Sequence, residues 1–520
     1  MKIPIILSIA FLLYSQNIFL QAGFLDPDFG QGGWLHTDFG GKDQANAVAI
    51  QADGKILVGG QTNGVSGSFD FALMRYLDNG DPDPDFGNLG KMVFDFGSAQ
   101  ENIEFINVLS DQKIFFGGWT NTSPNTPLAI LLRLNPDGSP DLSFGDQGIL
   151  KYRFGKSTSP LAMAVQEDGK YVVSGLVVVD SFDLDWIVSR FYPDGKLDST
   201  FNQIGYHHHK FLTRENIPFS ILIQKDHKIF MTGCAGVTSK TNFAFLRLNE
   251  DGTPDTSFGN GGSMQTDFQN NTDVAYTSII LDDGKIMVSG TSKDSITSLN
   301  FALARYLPDG TLDPSFGNGG KLTYDFIGPV DNGLYMIQQA DGKFLVCGTN
   351  NIIGHNSYVI VRFNPDGSID ESFGKKGIAS LDVISILPDN TPFFLMQPDG
   401  KLVMVHNYKD GTNINFLAMR FLNDVIIAND DLSTQNNLLE IYPNPVSDIF
   451  NIKIDSELSN SDLKIQIVNL QSQVVDQRVL YSSDLKKSII LYSIKNLLPG
   501  VYFLKWTSEK STGSIPIIKE

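Results

Sequence analysis

Acidic side chains at short, regular spacing are the first candidates for chemistry in this chain. The stretch DGTPDTSFGNGG, residues 251–262, places Asp251 and Asp255 four residues apart in a glycine-rich segment, and similar segments recur along the chain. Calcium prefers six to eight oxygen ligands, and a loop of the EF-hand kind needs acids at alternating positions and a closing glutamate. Those residues are missing, so the pattern favours a structural turn over a calcium site.

A run of three histidines, YHHHKF at 206–211, is the second candidate. In a strand, His207 and His209 share one face and could hold a metal ion. The sequence identifies no third ligand, so an exposed polar outer strand is favoured and no metal is predicted. The two cysteines, Cys234 and Cys347, lack the spacing of a zinc site and are expected to be buried free thiols.

Several enzyme classes would leave motifs that this sequence lacks. It has no Gly-x-Ser-x-Gly elbow, Walker loop, dinucleotide fingerprint or sialidase box, and its four tryptophans are too few for the blade signature of quinoprotein dehydrogenases. A catalytic pair of carboxylates stays open, because 58 acidic residues could hide one. We expect no catalytic residues and no cofactor, with a glycan-active or other hydrolytic enzyme as the alternative.

A repeat of 57 or 58 residues organises most of the chain. One marker is a phenylalanine that follows an aspartate by three residues: Phe29, Phe86, Phe144, Phe201, Phe258, Phe316 and Phe373. Six arginines precede that aspartate by eight residues, and one arginine and one aspartate are left over at opposite ends of the array: Arg75–Asp83, Arg133–Asp141, Arg190–Asp198, Arg247–Asp255, Arg305–Asp313, Arg362–Asp370, then Arg420 and Asp26. We expect buried, bidentate ion pairs that tie a strand to the turn after it.

Each repeat contains four apolar segments of strand length, and an Asp-Gly hairpin joins the second and third in most repeats. Strands such as KILVGG are apolar on both faces, as a sheet covered on each side requires. Seven such units predict an all-β fold, a seven-bladed β-propeller with four-stranded blades, and an open β-solenoid is the alternative. In a propeller, GWLHTDF at 33–39 would be the outer strand of the last blade, with Asp26 against Arg420.

Three blocks that recur in this order, LDPSFGNGGK, QADGKILVGG and FALARYLPDG, resemble the delta-60 repeat of propeller-like secreted bacterial proteins. The resemblance covers roughly residues 25–423. It implies the architecture and brings no activity with it. We therefore place the propeller at 23–424.

Residues 438–520 follow a polar linker at 425–437 and predict a small Ig-like β-sandwich. Residues near both ends resemble the type A C-terminal sorting domain of the type IX secretion system of Bacteroidetes: Tyr442, Pro443, Asn444, Pro445, Gly500, Tyr502 and Lys519. The resemblance implies the type IX machinery as a partner, and release or attachment at the cell surface. An ordinary Ig-like accessory domain is the alternative.

The start of the chain and its charge bear on location. Residues 1–22 combine one lysine, an apolar run and small residues, which predicts a secretory signal peptide too short to span a membrane. No later stretch is long and apolar enough for a membrane span. A net charge of −19 argues against nucleic acid and anionic membranes as partners. We expect export to the periplasm and then to the outer-membrane cell surface or beyond.

Two sets of connections vary between repeats: those between the third and fourth strands, and those that lead into the second strand. Both sets should emerge on one face of the ring. They carry the candidate ligand-face residues: Thr62, Asn63, Trp119, Asn121, Asn350 and Tyr408. Such side chains can hydrogen-bond to and stack on a sugar or a polypeptide, although drift alone would also vary these loops. The sequence predicts a secreted or cell-surface, non-catalytic propeller that binds an unknown glycan or protein.

Overall fold

The computed structural model describes most of the chain in two compact units, one within residues 21–426 and one within 427–520. The described residues are 22–64, 67–97, 100–121, 126–179, 183–211, 215–237, 240–268, 271–294, 299–326, 331–352, 355–382, 392–410, 412–423, 439–442, 448–454, 462–468, 474–481, 489–497, 500–508 and 512–519. The predicted signal peptide, apart from Ala22, and the predicted linker lie outside them.

The described part of the first unit is all β apart from one 3-10 turn at Phe201–Gln203. Its strands in chain order are β1 (Trp34–Thr37); β2 (Asp43–Ile50), β3 (Ile56–Thr62), β4 (Asp70–Tyr76), β5 (Lys91–Phe94); β6 (Glu101–Val108), β7 (Ile114–Thr120), β8 (Leu128–Leu134), β9 (Ile149–Tyr152); β10 (Ser157–Val165), β11 (Tyr171–Val178), β12 (Asp185–Phe191), β13 (Tyr206–His209); β14 (Glu215–Ile223), β15 (Ile229–Val237), β16 (Lys240–Leu248), β17 (Ser263–Thr266); β18 (Asp273–Ile280), β19 (Ile286–Lys293), β20 (Leu299–Tyr306), β21 (Lys321–Tyr324); β22 (Asp331–Gln338), β23 (Phe344–Ile352), β24 (His355–Phe363), β25 (Ile378–Asp382); β26 (Phe393–Met396), β27 (Leu402–Asp410) and β28 (Asn413–Phe421).

These strands form seven four-stranded antiparallel sheets among the described residues. The first six sheets each contain four consecutive strands, from β2–β5 to β22–β25, and β26, β27, β28 and β1 form the seventh. The strands β3 and β4 are buried along their whole length, which explains why their sequences are apolar on both faces. Repeated four-stranded sheets of this kind are consistent with a β-propeller.

Neighbouring sheets share apolar clusters. Leu57 of the first sheet packs with Phe116 of the second, and equivalent clusters join the second to the third, and so on to the seventh. One further cluster joins Val403 of the seventh sheet to Val58 of the first. The order of contacts between the sheets is therefore cyclic.

An arginine, an aspartate and a lysine form a buried ionic network at one end of every sheet. In the fifth sheet, Arg305 Nε donates to Asp313 Oδ2 at 2.8 Å, and Lys285 Nζ lies 3.4 Å from the same oxygen. The Nε–Oδ2 distance is 2.6–2.8 Å in all seven sheets, for Arg75–Asp83, Arg133–Asp141, Arg190–Asp198, Arg247–Asp255, Arg305–Asp313, Arg362–Asp370 and Arg420–Asp26. The lysine was not anticipated from the sequence.

In six of the seven sheets, the rest of the guanidinium group ties one sheet to the next. Arg305 Nη1 donates to the carbonyl oxygen of Pro365 in the following sheet at 2.7 Å. Its Nη2 donates to Ser315 Oγ at 2.9 Å, so the expected bidentate contact with Asp313 is replaced by a single bond and a serine. The ring of Phe316 lies beneath the guanidinium group, 4.9 Å from its central carbon. The repeated phenylalanines are all buried.

The acidic residues of the glycine-rich segment 251–262 also have structural roles. Asp251 Oδ1 accepts the backbone N–H of Thr253 at 2.9 Å, which forms an Asx turn. Asp255 Oδ1 accepts Ser257 N–H at 3.0 Å, and its other oxygen accepts from Arg247. Their oxygens are thus used within the turn.

The two ends of the first unit meet in the seventh sheet. Strand β1 pairs antiparallel with β28, and Trp34 lies opposite Met419. Asp26 Oδ2 accepts from Arg420 Nε at 2.8 Å and lies 3.1 Å from Lys401 Nζ. Arg420 Nη1 also donates to the carbonyl oxygen of Asp78 in the first sheet.

The second unit is described by two antiparallel sheets. Their strands are β29 (Leu439–Tyr442), β30 (Ile449–Ile454), β31 (Leu463–Val468), β32 (Val474–Leu480), β33 (Ile489–Ser493), β34 (Gly500–Thr507) and β35 (Thr512–Lys519), in the orders β29-β30-β33 and β32-β31-β34-β35. Both sheets contribute to one apolar core, in which Phe450 and Ile465 are fully buried.

The residues that resemble a sorting motif are only partly described. Tyr442 ends β29, Gly500 and Tyr502 lie in β34, and Lys519 pairs with Gly500 across β34 and β35. Pro443, Asn444 and Pro445 lie outside the described residues. The described ones therefore sit at the ends of strands or in them.

We expect Asp26→Ala to weaken the seventh sheet specifically. Removing one partner from a buried ion pair costs about 3–5 kcal/mol, because the remaining charge is left uncompensated. Asp83→Ala is the matched control, since Asp83 bonds to Arg75 and Lys55 in the same way within one stretch of chain. Hydrogen exchange should rise in β1 and β28 for Asp26→Ala, and in β4 and β5 for Asp83→Ala. Unchanged exchange in β1 for Asp26→Ala would contradict its role in joining the two ends.

Candidate functional site

One edge strand of every sheet contributes to the wall of a single cavity of about 320 Å³. These strands are β2, β6, β10, β14, β18, β22 and β26, and we refer to them as the inner strands. The cavity-lining residues are Ala45, Asn46, Glu104, Leu161, Leu176, Ile217, Phe219, Tyr276, Tyr335 and Phe393. All but Leu176 lie on inner strands. We call this space the central cavity.

A β-bulge in the inner strand directs side chains into the central cavity. The pairing register shifts in β2 around Asn46 and in β6 around Glu104, and it shifts at the equivalent place in β10, β14, β18 and β22. A bulge leaves one extra residue unpaired and re-aims its side chain. The bulged residues Asn46, Glu104, Leu161, Phe219 and Tyr276 line the cavity, whereas in β22 the lining residue is Tyr335, which follows the bulged Leu334.

A glycine on the adjacent strand makes room for the bulge. A side chain on Gly118 would collide with the carbonyl oxygen of Asn102, two residues before Glu104. Equivalent glycines face the other bulges, at Gly60, Gly175, Gly233, Gly290 and Gly348. The repeated glycine therefore permits the backbone conformation that places Glu104 in the wall.

Glu104 is the centre of a polar network on one side of the central cavity. Its Oε1 accepts Trp119 Nε1–H at 2.7 Å and Asn102 Nδ2–H at 2.9 Å. Asn46 Nδ2 in turn donates to Asn102 Oδ1 at 2.5 Å. Burial raises the pKa of the Glu104 carboxyl to about 7, and the two hydrogen bonds only partly oppose that shift. The carboxyl group thus changes charge near neutral pH.

Aromatic rings form the opposite side of the central cavity. Phe219 and Tyr276 have ring centroids 4.9 Å apart, and Tyr335 and Phe393 form a second pair at 5.3 Å. Burial raises the pKa of Tyr276 and of Tyr335, so both phenols are neutral at physiological pH. The cavity therefore combines one ionisable carboxyl group with four aromatic side chains. That combination can bind a ligand, and the carboxyl group can also exchange a proton.

The residues predicted for a ligand face lie in different environments. Trp119 belongs to the network of Glu104, and Tyr408 packs against Trp34 and His36, with centroids 6.2 and 5.7 Å away. Two of the polar candidates bond to nearby backbone: Asn63 Oδ1 accepts Lys42 N–H at 2.7 Å, and Asn121 N–H donates to Gln100 O at 2.9 Å.

Thr62 and Asn350 were also predicted to belong to the possible ligand face. Both are almost fully buried. Thr62 ends β3, where its hydroxyl group donates to Asp43 Oδ1 at 2.5 Å. A buried carboxylate needs such donors, so the hydroxyl group serves the scaffold instead of the surface.

Glu104 was not singled out from the sequence, although a signal was present. The bulge position recurs every 57 or 58 residues as Asn46, Glu104, Leu161, Phe219 and Tyr276. The residue type varies at this position, while the glycine opposite it does not. A variable position at a fixed place in an otherwise constant repeat is the pattern expected of a site built on a scaffold.

The histidine run is less exposed than predicted. His207 is buried, and its ring stacks on that of His209 with centroids 6.0 Å apart. Burial lowers the pKa of each to about 4. His208 points the other way, with Nε2 2.8 Å from Asp185 Oδ2. The outer strand β13 is therefore covered on one face.

Other candidate metal ligands lie apart from the central cavity. Within the described residues, the carboxylates of Asp70, Asp95 and Glu101 lie within 4.8 Å of one another. Glu101 already accepts Phe96 N–H at 3.0 Å and caps the turn before β6. Cys234 and Cys347 are buried free thiols, as predicted.

We expect Glu104→Gln to stabilise the protein at pH 8 and to leave it unchanged at pH 4. The ordinary pKa of the carboxyl group is 4.5 and its folded value is about 7, so the folded state binds more protons between these values. Stability is lost as pH rises through that window, by up to about 3 kcal/mol, and glutamine avoids the loss. Thermal melts at both pH values measure it, with the exposed Glu371→Gln as control. A variant less stable than the parent at pH 8 would show that the carboxylate is not strained there.

No helix in the described part of the chain has the length and hydropathy to span a bilayer. No curated protein matches the sequence significantly. Among solved structures, the chain is similar to PorZ, a bacterial surface component of the type IX secretion system of Porphyromonas gingivalis, at 10% identity and a TM-score of 0.37. That match covers 91% of this chain but 59% of the length of PorZ.

Two polysaccharide lyases are similar at the same level. Uly1 has 10% identity and a TM-score of 0.41, over 78% of this chain and 98% of its own. A PL25 ulvan lyase bound to a glucuronate–rhamnose sulfate unit has 9% identity and a TM-score of 0.42, over 74% and 95%. These likenesses are too weak to transfer an activity to this chain.

Two family matches are specific. The beta-propeller domain DUF5122, of unknown function, matches six segments: 51–86, 109–144, 166–201, 224–258, 281–316 and 339–373. The secretion system C-terminal sorting domain matches residues 440–520, and such a tail indicates secretion by the type IX system to the cell surface or outside. The chain is therefore a secreted protein that carries DUF5122 beta-propeller repeats and ends in a type IX sorting domain.

Proposed function

We propose that the first unit is a closed seven-bladed β-propeller, with the seven sheets as its blades. The cyclic order of the apolar clusters supports closure, as does the single cavity that touches all seven inner strands. The pairing of β1 with β28 makes the seventh blade from both ends of the array. A blade divided in this way also explains why six continuous segments match the repeat family instead of seven.

We further propose that the protein acts as a secreted, non-catalytic binding module whose ligand, a glycan or a protein segment, enters the central cavity. The observation that carries this proposal is the wall of four aromatic rings from four blades, opposite a carboxyl group fixed by two donors. Ligand sites are commonly apolar and aromatic clefts with a few oriented polar groups. Rigid inner strands hold these groups, so little order is lost when a ligand binds.

A hydrolytic enzyme is the alternative, and Glu104 is the observation that favours it. A general acid or base works best when its pKa lies near the operating pH. The pKa of Glu104, about 7, meets that condition. A catalytic role would also need a substrate bond within reach of this carboxyl group.

One experiment separates the two functions. The purified protein, Glu104→Gln and Phe219→Leu are applied to glycan and peptide arrays, and captured ligands are then incubated with each protein and analysed for cleavage products. We expect capture without cleavage, and weaker capture by Phe219→Leu because it loses aromatic contact. Cleavage that disappears in Glu104→Gln would instead establish the enzyme.

The second unit is proposed to be an Ig-like sandwich that the type IX machinery recognises. We expect deletion of residues 438–520 to leave a folded propeller that stays in the periplasm, because the two units have separate cores. Cell fractionation locates the truncated protein, and its resistance to proteolysis reports on folding. Normal appearance of the truncated protein at the cell surface would reject the role of this unit in export.

A further inference from the structure

The charge of Glu104 has no counter-ion in the central cavity. The residues that line the cavity include no lysine, arginine or histidine in the described part of the chain. The groups that donate to Glu104 are Trp119 and Asn102, both neutral. A carboxylate held in an apolar site without a cation is unfavourable, and a bound cation would relieve that cost.

The aromatic side of the cavity is suited to the same kind of ligand. Aromatic faces carry a partial negative charge and attract cations, including quaternary ammonium groups. Phe219, Tyr276, Tyr335 and Phe393 supply four rings from four strands. The net charge of −19 on the chain also raises the local concentration of cations and lowers that of anions.

The size of the cavity limits the ligand. At about 320 Å³ it lies at the lower end of the usual range for ligand pockets, which is roughly 300–1,000 Å³. It therefore suits a small group better than several linked sugars. A neutral sugar would also leave the charge on Glu104 uncompensated.

We propose that the central cavity binds a small organic cation, with an amine or quaternary ammonium group against Glu104 and its methyl or methylene groups against Phe219, Tyr276, Tyr335 and Phe393. The proposal rests on the binding function proposed above and gives the chemical class of ligand. The ammonium group could belong to a free small molecule or to the part of a larger molecule that enters the cavity.

Binding of such a cation should depend on pH through Glu104. The other residues that line the cavity from the neighbouring strands, Asn46, Leu161 and Leu176, do not titrate, and neither do Asn102 and Trp119. Tyr276 and Tyr335 across the cavity stay neutral. A permanently charged cation should therefore bind roughly tenfold more tightly at pH 8 than at pH 6, because the ionised fraction of Glu104 rises by about that factor.

Choline and its neutral carbon isostere, 3,3-dimethyl-1-butanol, are the probes for calorimetry on the full chain at pH 6 and pH 8. We expect choline to bind at least tenfold more tightly than the isostere at pH 8. Glu104→Gln should reduce that preference to the part supplied by the aromatic rings and remove the pH dependence, while Glu371→Gln, an exposed control, keeps both. Phe219→Leu should weaken binding and keep the pH dependence. Thermal melts of each variant establish that it is folded.

The outcomes separate the ligand class from the binding function. Equal affinity for choline and the isostere, lost in Phe219→Leu, would overturn the cation and leave the cavity as a binding site. Binding of neither probe, with an array profile that Phe219→Leu alters, would likewise overturn only the ligand class. Binding of neither probe, with array profiles identical for the parent and both cavity variants, would overturn the ligand class and the binding role of this cavity together.

Discussion

A single aspartate oxygen, buried at one end of each sheet, receives an arginine and a lysine at once. Burial alone would raise the pKa of Asp198, but hydrogen bonds from Thr200 and the neighbouring Arg190 hold it down to about 2. The same arginine reaches a backbone carbonyl group of the following sheet, at 2.6 Å for Arg190 and Glu250. Each network therefore fixes a turn within its own sheet, and six of them also fix the position of the next sheet. Because a buried charge tolerates little displacement from its partner, seven such networks make the arrangement of sheets stiff.

Because the sheets are held in fixed positions, the residues that vary between them can be compared directly with those that are constant. The arginine, the aspartate, the lysine and the phenylalanine recur in all seven sheets, and the glycine opposite the bulge recurs in six. The bulged residue does not, and it changes from Asn46 to Glu104 to Leu161 around the cavity. A frame that fixes the backbone leaves this side chain free to change without disturbing the fold. The polar residues gather on two adjacent inner strands, so the cavity is asymmetric although the repeats are alike.

Much of the frame could be predicted from the sequence, because repeats within one chain can be compared directly. The constant eight-residue step from Arg305 to Asp313 and its equivalents is enough to indicate a contact. Arg420 and Asp26, which have no partner eight residues away in the sequence, indicate another. The lysine is harder to recognise, although it follows each hairpin aspartate by two residues, as in Asp283 and Lys285. Its contact with Asp313 joins two segments that are distant along the chain, and no local pattern reports such a contact.

The candidate site could not be predicted in the same way, for a physical reason. Sequence patterns assume that side chains alternate between the two faces of a strand, and a bulge breaks that alternation at one residue. In β6, whose sequence ENIEFINV mixes polar and apolar residues, alternation therefore does not show which face Glu104 occupies. The glycine opposite Glu104 is the one sequence feature that indicates the bulge. It can be interpreted only when the pairing register of the two strands is known. The fold places the charge of Glu104 in an apolar cavity in which the lining residues supply no counter-ion. The main stabilisation of this charge must therefore come from a group that enters the cavity.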